Sequence, residues 1–245
     1  MQILGIEENF LSIENEFSNY EDSKFIILPI PYEHSVSYGR GTSNAPKAIL
    51  DASAFVEFYD EEFDNEICFS DKIATFRPIN LENYYDEPLT KYIEKIIDKL
   101  ISDNKIVVTI GGEHTISIAP IKSHYKIYPE MSILHFDAHS DLRDTYQDSK
   151  YSHACFMSRV CEFFPPSKVT QVGIRALCKE EREFIKNNKI NTFFATDIRN
   201  GKFGNDSLVL GNLVNISGDL EQAAGNKHYA MRNGLGTESK DIPSV

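Results

Sequence analysis

Residues 137–141 read Asp137-Ala138-His139-Ser140-Asp141 and stand directly after the apolar run Met131-Ser132-Ile133-Leu134-His135-Phe136. In extended backbone, residues i, i+2 and i+4 project to one side. Asp137, His139 and Asp141 would therefore converge just beyond the end of a buried strand. Two hard carboxylates and one borderline imidazole suit a divalent ion such as Mn²⁺, and Asp137 at the strand tip is placed to bridge two ions. Read alone, the same five residues also describe a polar loop with a solvated acidic turn. A second segment shifts the balance. Ile106-Val107-Val108-Thr109-Ile110-Gly111-Gly112-Glu113-His114 is a β-branched apolar run ending in a Gly-Gly turn, an acid and a histidine. Gly-Gly after a strand permits a tight turn and a close approach of backbone to a neighbouring group. A histidine there is, by itself, more often structural. Two such segments at the carboxyl ends of parallel strands share one sheet edge, and together they favour a ligand role for His114.

The elements that must position these residues alternate along the chain. Phe25–Ile30 reads as a first strand, followed by a polar loop from Pro31 to Ser43. Asn44-Ala45-Pro46 has the pattern of a helix start, with proline in the first turn. Within Lys91–Ser102, Ile93, Ile96, Ile97, Leu100 and Ile101 follow the i, i+3, i+4, i+7, i+8 spacing of an amphipathic helix. Next come a strand to Ile110, a helix over Thr115–His124, a strand to Phe136 and a helix over His153–Phe163. A strand over Val169–Ile174, a charged helix over Lys179–Asn188 and a strand over Ile190–Ala195 complete the series. Strands separated by helical stretches of this length predict an α/β fold, an open and mainly parallel sheet flanked by helices on both faces. One domain is expected over residues 1–199. Beyond it the composition changes: residues 200–245 hold seven of the 13 glycines but two of the 28 Phe and Tyr. That stretch reads as a divergent C-terminal tail, either part of the same domain or loosely ordered.

At 245 residues the chain is long enough for one well-buried α/β core. Its net charge of −12 argues against nucleic acid, which requires clustered Lys and Arg, and suits a small cationic partner. No apolar run approaches a membrane span, and the N-terminus lacks a basic-then-apolar leader pattern. Cys68, Cys155, Cys161 and Cys178 form no C-x-x-C pair, so reduced thiols in a cytoplasmic protein are expected.

Taken together, Gly111-Gly112-Glu113-His114, Asp137-Ala138-His139-Ser140-Asp141-Leu142-Arg143-Asp144 and Ser152-His153-Ala154-Cys155-Phe156-Met157-Ser158-Arg159 resemble the ureohydrolases, the arginase and agmatinase family. Gly39-Arg40-Gly41-Thr42-Ser43-Asn44-Ala45-Pro46 and Val172-Gly173-Ile174-Arg175 extend the resemblance over roughly residues 25–195, closer to bacterial agmatinases than to arginases. The resemblance implies an arginase-like α/β fold, two Mn²⁺ ions per chain and a homo-oligomer. It implies hydrolysis of a guanidino compound by a metal-bridging hydroxide, agmatine giving putrescine and urea. His114, Asp137 and Asp141 would bind one ion, and Asp137 and His139 would share the other. His153 matches the family's active-site histidine, implicated in proton transfer to the leaving amine; read locally, it is also a helix N-terminal histidine held by nearby hydrogen bonds. Glu113 stands where the family usually has Asp, in a position to orient a ligand. His34 and His135 are assigned no metal. The family's later S-x-D-x-D motif has one counterpart here, Ser217-Gly218-Asp219-Leu220-Glu221, with Glu221 in place of the second Asp and no D-P after it. Asp219 and Glu221 are the remaining candidate ligands. The alternative is a chance Ser-x-Asp, which would make the chain a truncated, catalytically impaired homologue with an incomplete metal site.

Overall fold

The computed structural model describes residues 2–202; the tail, including Asp219 and Glu221, lies outside them. Six strands and six α-helices alternate in it. β1 (Phe25–Ile30), α1 (Ala45–Ser53), β2 (Ile73–Thr75), α2 (Asp86–Ser102) and β3 (Ile106–Gly111) form the first half. α3 (Ile118–Ile127), β4 (Ile133–Phe136), α4 (Phe156–Cys161), β5 (Val169–Ile174), α5 (Lys179–Asn188), β6 (Asn191–Phe194) and α6 (Ala195–Arg199) form the second. All strand pairs are parallel, as the βαβ alternation requires. Among the described residues the strands make two ladders, β2-β1-β3 and β4-β5-β6, in place of one continuous run.

β1 is central in its ladder and buried on both faces, which is why its sequence reads as an unbroken apolar stretch. Ile26, Leu28 and Ile30 pack against Leu89, Ile93, Ile97 and Leu100 of α2. Ile27, on the opposite face, meets Leu50 of α1 and Ile110 of β3. Helices thus cover both faces of the first ladder. Each fully buried α2 side chain contributes on the order of 1.5–3 kcal/mol, and Ile97→Ala would cost ~2–5 kcal/mol, because the cavity left behind adds to the lost burial. Pro29 is tolerated in this central strand because its nitrogen faces the side where β2 has already ended at Thr75; its carbonyl still accepts from Ile79. The second core gathers Ile118, Ile121, Phe156, Met157, Val160 and Ile185 from α3, α4 and α5 around Ile133 and Val169.

The expected elements are present, with shifted ends. α2 begins at Asp86, five residues before the expected Lys91, where Asp86-Glu87-Pro88 supplies first-turn acids and a proline. The helices expected over Thr115–His124 and His153–Phe163 each open with a 3-10 turn, His114–Ser117 and His153–Cys155, before α3 and α4 proper. β2 was not legible in the sequence, because three residues are too few to set a period. No helix among the described residues is long and apolar enough to cross a membrane.

Candidate metal centre

β3 ends in Gly111, and the next residue is held against the end of β1. Gly112 N–H donates to Ile30 and Glu113 N–H to the Tyr32 carbonyl. A Cβ on Gly112 would lie 2.0 Å from that carbonyl oxygen, so no other residue fits without moving backbone. This turn delivers His114 to the site as the first residue of its 3-10 turn. On the second ladder, backbone bonding to the β5 side continues past β4. Asp137 N–H donates to Val172, and Arg175 and Ala176 N–H both donate to Ala138. Gly173 (φ +92°) makes this possible: it sits at a register shift in β5, where an added Cβ would press to 3.2 Å on the Asp137 carbonyl. Further on, the buried Glu181 carboxylate of α5 accepts from Ser140 Oγ (2.6 Å) and Leu142 N–H (2.9 Å), fixing the loop around Asp141.

The segment is not extended throughout. Asp141 turns into the left-handed region (φ 51°), a conformation that Asp tolerates. It still reaches the centre. His114 Nδ1 lies 3.0 Å from Asp141 Oδ2 and 3.2 Å from Asp137 Oδ2. His139 approaches the other oxygen: its Nδ1 is 3.3 Å from Asp137 Oδ1, and its backbone N–H donates to the same atom at 2.7 Å. His114 and Asp137 are buried, whereas the His139 side chain is 43% exposed. Phe156 stacks on the His114 ring at 3.7 Å between centroids and screens it from solvent.

Charge and burial oppose each other at this cluster. Burial pushes the His114 imidazolium down, but its hydrogen bonds to Asp137 and Asp141 outweigh burial and carry its pKa up to about 10. Burial raises Asp137, and the three imidazoles of His114, His135 and His139 more than reverse it, holding the carboxyl far below the usual carboxylate range. Hydrogen bonding to Asp137 likewise lifts His139. Two buried carboxylates held together by one protonated imidazole form an arrangement that a divalent cation can take over, releasing the proton.

His153 lines the same cavity, which has a volume of about 580 Å³ and is lined also by His114, Asp137, His139, Asp141 and Tyr146. The groups that hold it come from the loop after β1. Ser35 Oγ accepts from His153 N–H (2.9 Å) and lies 3.1 Å from Nδ1, while Ser37 Oγ lies 3.0 Å from Nε2. Ser35 gives its own hydroxyl proton to Glu113 Oε1 (2.8 Å), so toward Nδ1 it can only accept. Toward Ser35 the ring presents Nδ1–H, and Nε2 is then the nitrogen that exchanges a proton, with Ser37 Oγ donating to it and accepting in turn from Tyr146 Oη at 3.2 Å. Glu113 is 1% exposed and accepts in addition from His34 and Ser35 N–H, both at 2.7 Å, and from Thr115 Oγ1 at 3.0 Å. Glu113 thus orients the loop that holds His153.

The structure brings His114, Asp137, His139, Asp141 and His153 to one cavity. Asp219 and Glu221 lie outside the described residues. Sequence reasoning passed over His135, whose Nε2 lies 3.3 Å from Asp137 Oδ2 and which joins His114, Asp137 and Asp141 in a buried cluster with ligand atoms within 4.8 Å of one another. Its position two residues before Asp137, on the same side of the strand, was the available signal. Glu181 and Ser35 carried no signal in the sequence, since each acts across a long separation.

The model of the Arginase family matches residues 23–207. The N(1)-aminopropylagmatine ureohydrolase of Synechocystis sp. is 34% identical over 193 residues, covering 76% of this chain and 62% of the relative. The agmatinase of Halalkalibacterium halodurans is 34% identical over 171 residues, covering 69% and 58%. This chain therefore spans about three fifths of the length of these curated relatives. The solved agmatine ureohydrolase of Thermoplasma volcanium superposes with a TM-score of 0.64 at 28% identity, over 77% of this chain and 62% of that one. With the same parallel α/β frame and a family match over most of its length, the chain belongs to the arginase family.

Proposed function

We propose that this chain hydrolyses a guanidino compound with the help of manganese, converting agmatine to putrescine and urea. The observation that carries the reading is the single cavity whose wall holds His114, Asp137, His139, Asp141 and His153 together. The donor set fits the metal: hard carboxylate oxygens with imidazole nitrogens, without a thiolate among them. His114, Asp137 and Asp141 would hold one Mn²⁺, Asp137 and His139 would share the second, and Asp219 and Glu221 are the carboxylates proposed to complete it. When bound, the ions supply a water acidic enough to attack at neutral pH and offset the charge that develops on the substrate. The remaining work belongs to the chain's own groups. Glu113 and Ser35 hold the His153 ring with its proton on Nδ1, which leaves Nε2 to take up a proton and pass it to the departing amine. A positioned acid of this kind contributes on the order of 10²–10⁴-fold. Phe156 keeps water from the back of His114, and the net charge of −12 favours a cationic substrate.

A second reading, an impaired homologue with an incomplete site, rests on Glu221 standing where a second Asp is expected and on the missing D-P. Urea release from agmatine by the full chain with excess Mn²⁺ separates the two, with arginine and N(1)-aminopropylagmatine as comparison substrates. Urea from agmatine and not from arginine supports the proposal. Faster release from N(1)-aminopropylagmatine would move the substrate to the longer polyamine. Absence of urea from all three, in protein that retains Mn²⁺, would favour the impaired homologue.

A further inference from the structure

His135 and Gln171 are both fully buried, face each other as register partners on β4 and β5, and have no place in the ligand assignment above. Their hydrogen bonds fix where the imidazole proton sits. Gln171 Nε2 lies 2.8 Å from the Ser140 carbonyl oxygen. A carbonyl can only accept, so the amide nitrogen must face it; the reversed amide would set oxygen against oxygen. The same nitrogen is 3.1 Å from His135 Nδ1. Its second hydrogen has an acceptor there only if Nδ1 carries a lone pair. The ring proton therefore stands on Nε2, which faces Asp137 Oδ2 at 3.3 Å. A nitrogen that presents a proton to a carboxylate is closed to a metal, although His135 lies within the cluster that could hold one.

We propose that His135 is a positioning residue: Gln171 sets its tautomer, and its Nε2–H holds Asp137 in the orientation a bridging carboxylate requires. Oδ2 is held by His135 on the side of His114 and Asp141, while Oδ1 is held by the His139 N–H on the other side. Neither oxygen is free to rotate away from its side. The inference rests on the metal-centre reading of the preceding subsection.

The test begins with ¹⁵N NMR of the histidine-labelled, metal-free full chain, which distinguishes protonated from unprotonated ring nitrogens. His135 is expected to show a protonated Nε2 and an unprotonated Nδ1; the opposite tautomer overturns the inference. Mn²⁺ affinity is then read from the EPR signal of free Mn²⁺ in the parent, His135→Leu and His135→Gln. Loss of an outer hydrogen bond to a ligand weakens metal binding ~10–100-fold, so His135→Leu is expected to lose that much. His135→Gln, which can present an amide N–H at similar reach, is expected to recover most of it. A purely packing role would weaken both variants alike and would overturn the inference. A parent that takes up no Mn²⁺ refutes the metal centre and this inference with it. A parent that binds while His135→Leu binds equally well refutes the role of His135 alone. Should the His135 variants fail to fold, Gln171→Leu supplies the second arm. Without the amide N–H that faces Nδ1 the tautomer is no longer fixed, so a protonated Nδ1 should appear in the ¹⁵N spectrum and Mn²⁺ affinity should fall with it; a tautomer and affinity unchanged from the parent would overturn the inference.

Discussion

Glu113→Gln isolates the contribution of one buried carboxylate to the loop that positions His153. The carboxylate accepts two backbone N–H groups, from His34 and Ser35, on Oε2 and two hydroxyls, from Ser35 and Thr115, on Oε1. An amide has one accepting oxygen. It must turn that oxygen to the backbone pair, because N–H groups cannot reverse their polarity, whereas the hydroxyls can rotate and accept. The two backbone bonds then change from charge-assisted to neutral, a loss of about 1 kcal/mol each. The expected destabilisation is ~2 kcal/mol, or about 4–8 °C in Tm for a chain of this size. Glu113→Ala leaves the N–H pair without a partner and is expected to cost ~4 kcal/mol. Thermal melting of the metal-free full chain measures both, and hydrogen exchange at residues 33–37 should rise before the core opens. There is a second consequence. Relieved of Glu113, the Ser35 hydroxyl can donate to His153 Nδ1 and move the ring proton to Nε2, which NMR would register. A Gln variant that melts with the parent, with unchanged exchange at 33–37, would refute the reasoning.

Asp137→Asn and His139→Asn should each abolish the Mn²⁺-induced rise in Tm, since a lost ligand weakens native-state binding; equal shifts in the parent and both variants would move the site elsewhere. The raised pKa of His114, about 10 against an ordinary 6.5, sets a pH window. Its pairing with Asp137 and Asp141 stabilises the metal-free chain fully below pH 6.5, and that contribution is lost as pH rises through about 10. Within this window Mn²⁺ must displace the proton, so calorimetry in buffers of different ionisation enthalpy should register about one proton released per site. Gly112→Ala, with its Cβ 2.0 Å from the Tyr32 carbonyl oxygen, is expected to cost ~3 kcal/mol, read as a lowered urea midpoint. Asp219→Ala should weaken Mn²⁺ binding if the tail supplies a ligand and leave it unchanged if the Ser-x-Asp match is accidental.

Local sequence determined a good deal of this molecule. Alternation of apolar runs with amphipathic stretches is enough to specify parallel βαβ units, because period and length are properties of a few consecutive residues. The matches of β5 and α5 to their expected bounds reflect this. Asp137, His139 and Asp141 announced themselves in the same way, by spacing within one segment, as did the histidine after Gly111-Gly112. Tertiary structure decided what those residues face. Asp141 reaches His114 only through a left-handed turn that an extended reading does not contain. His135 became a partner of Asp137 because Gln171, 36 residues away, turns its proton that way. His153 is held by Ser35 and Ser37 from a loop 118 and 116 residues earlier, and that loop is fastened by Glu113 from a third element. Hydrogen bonds of this reach depend on how strands pair and which turn brings a carboxylate inward, and no window of consecutive residues encodes that. The sequence by itself named the side chains that meet in the cavity; the fold assigned each one its direction, because direction is set by partners that are distant in the chain and adjacent only in space.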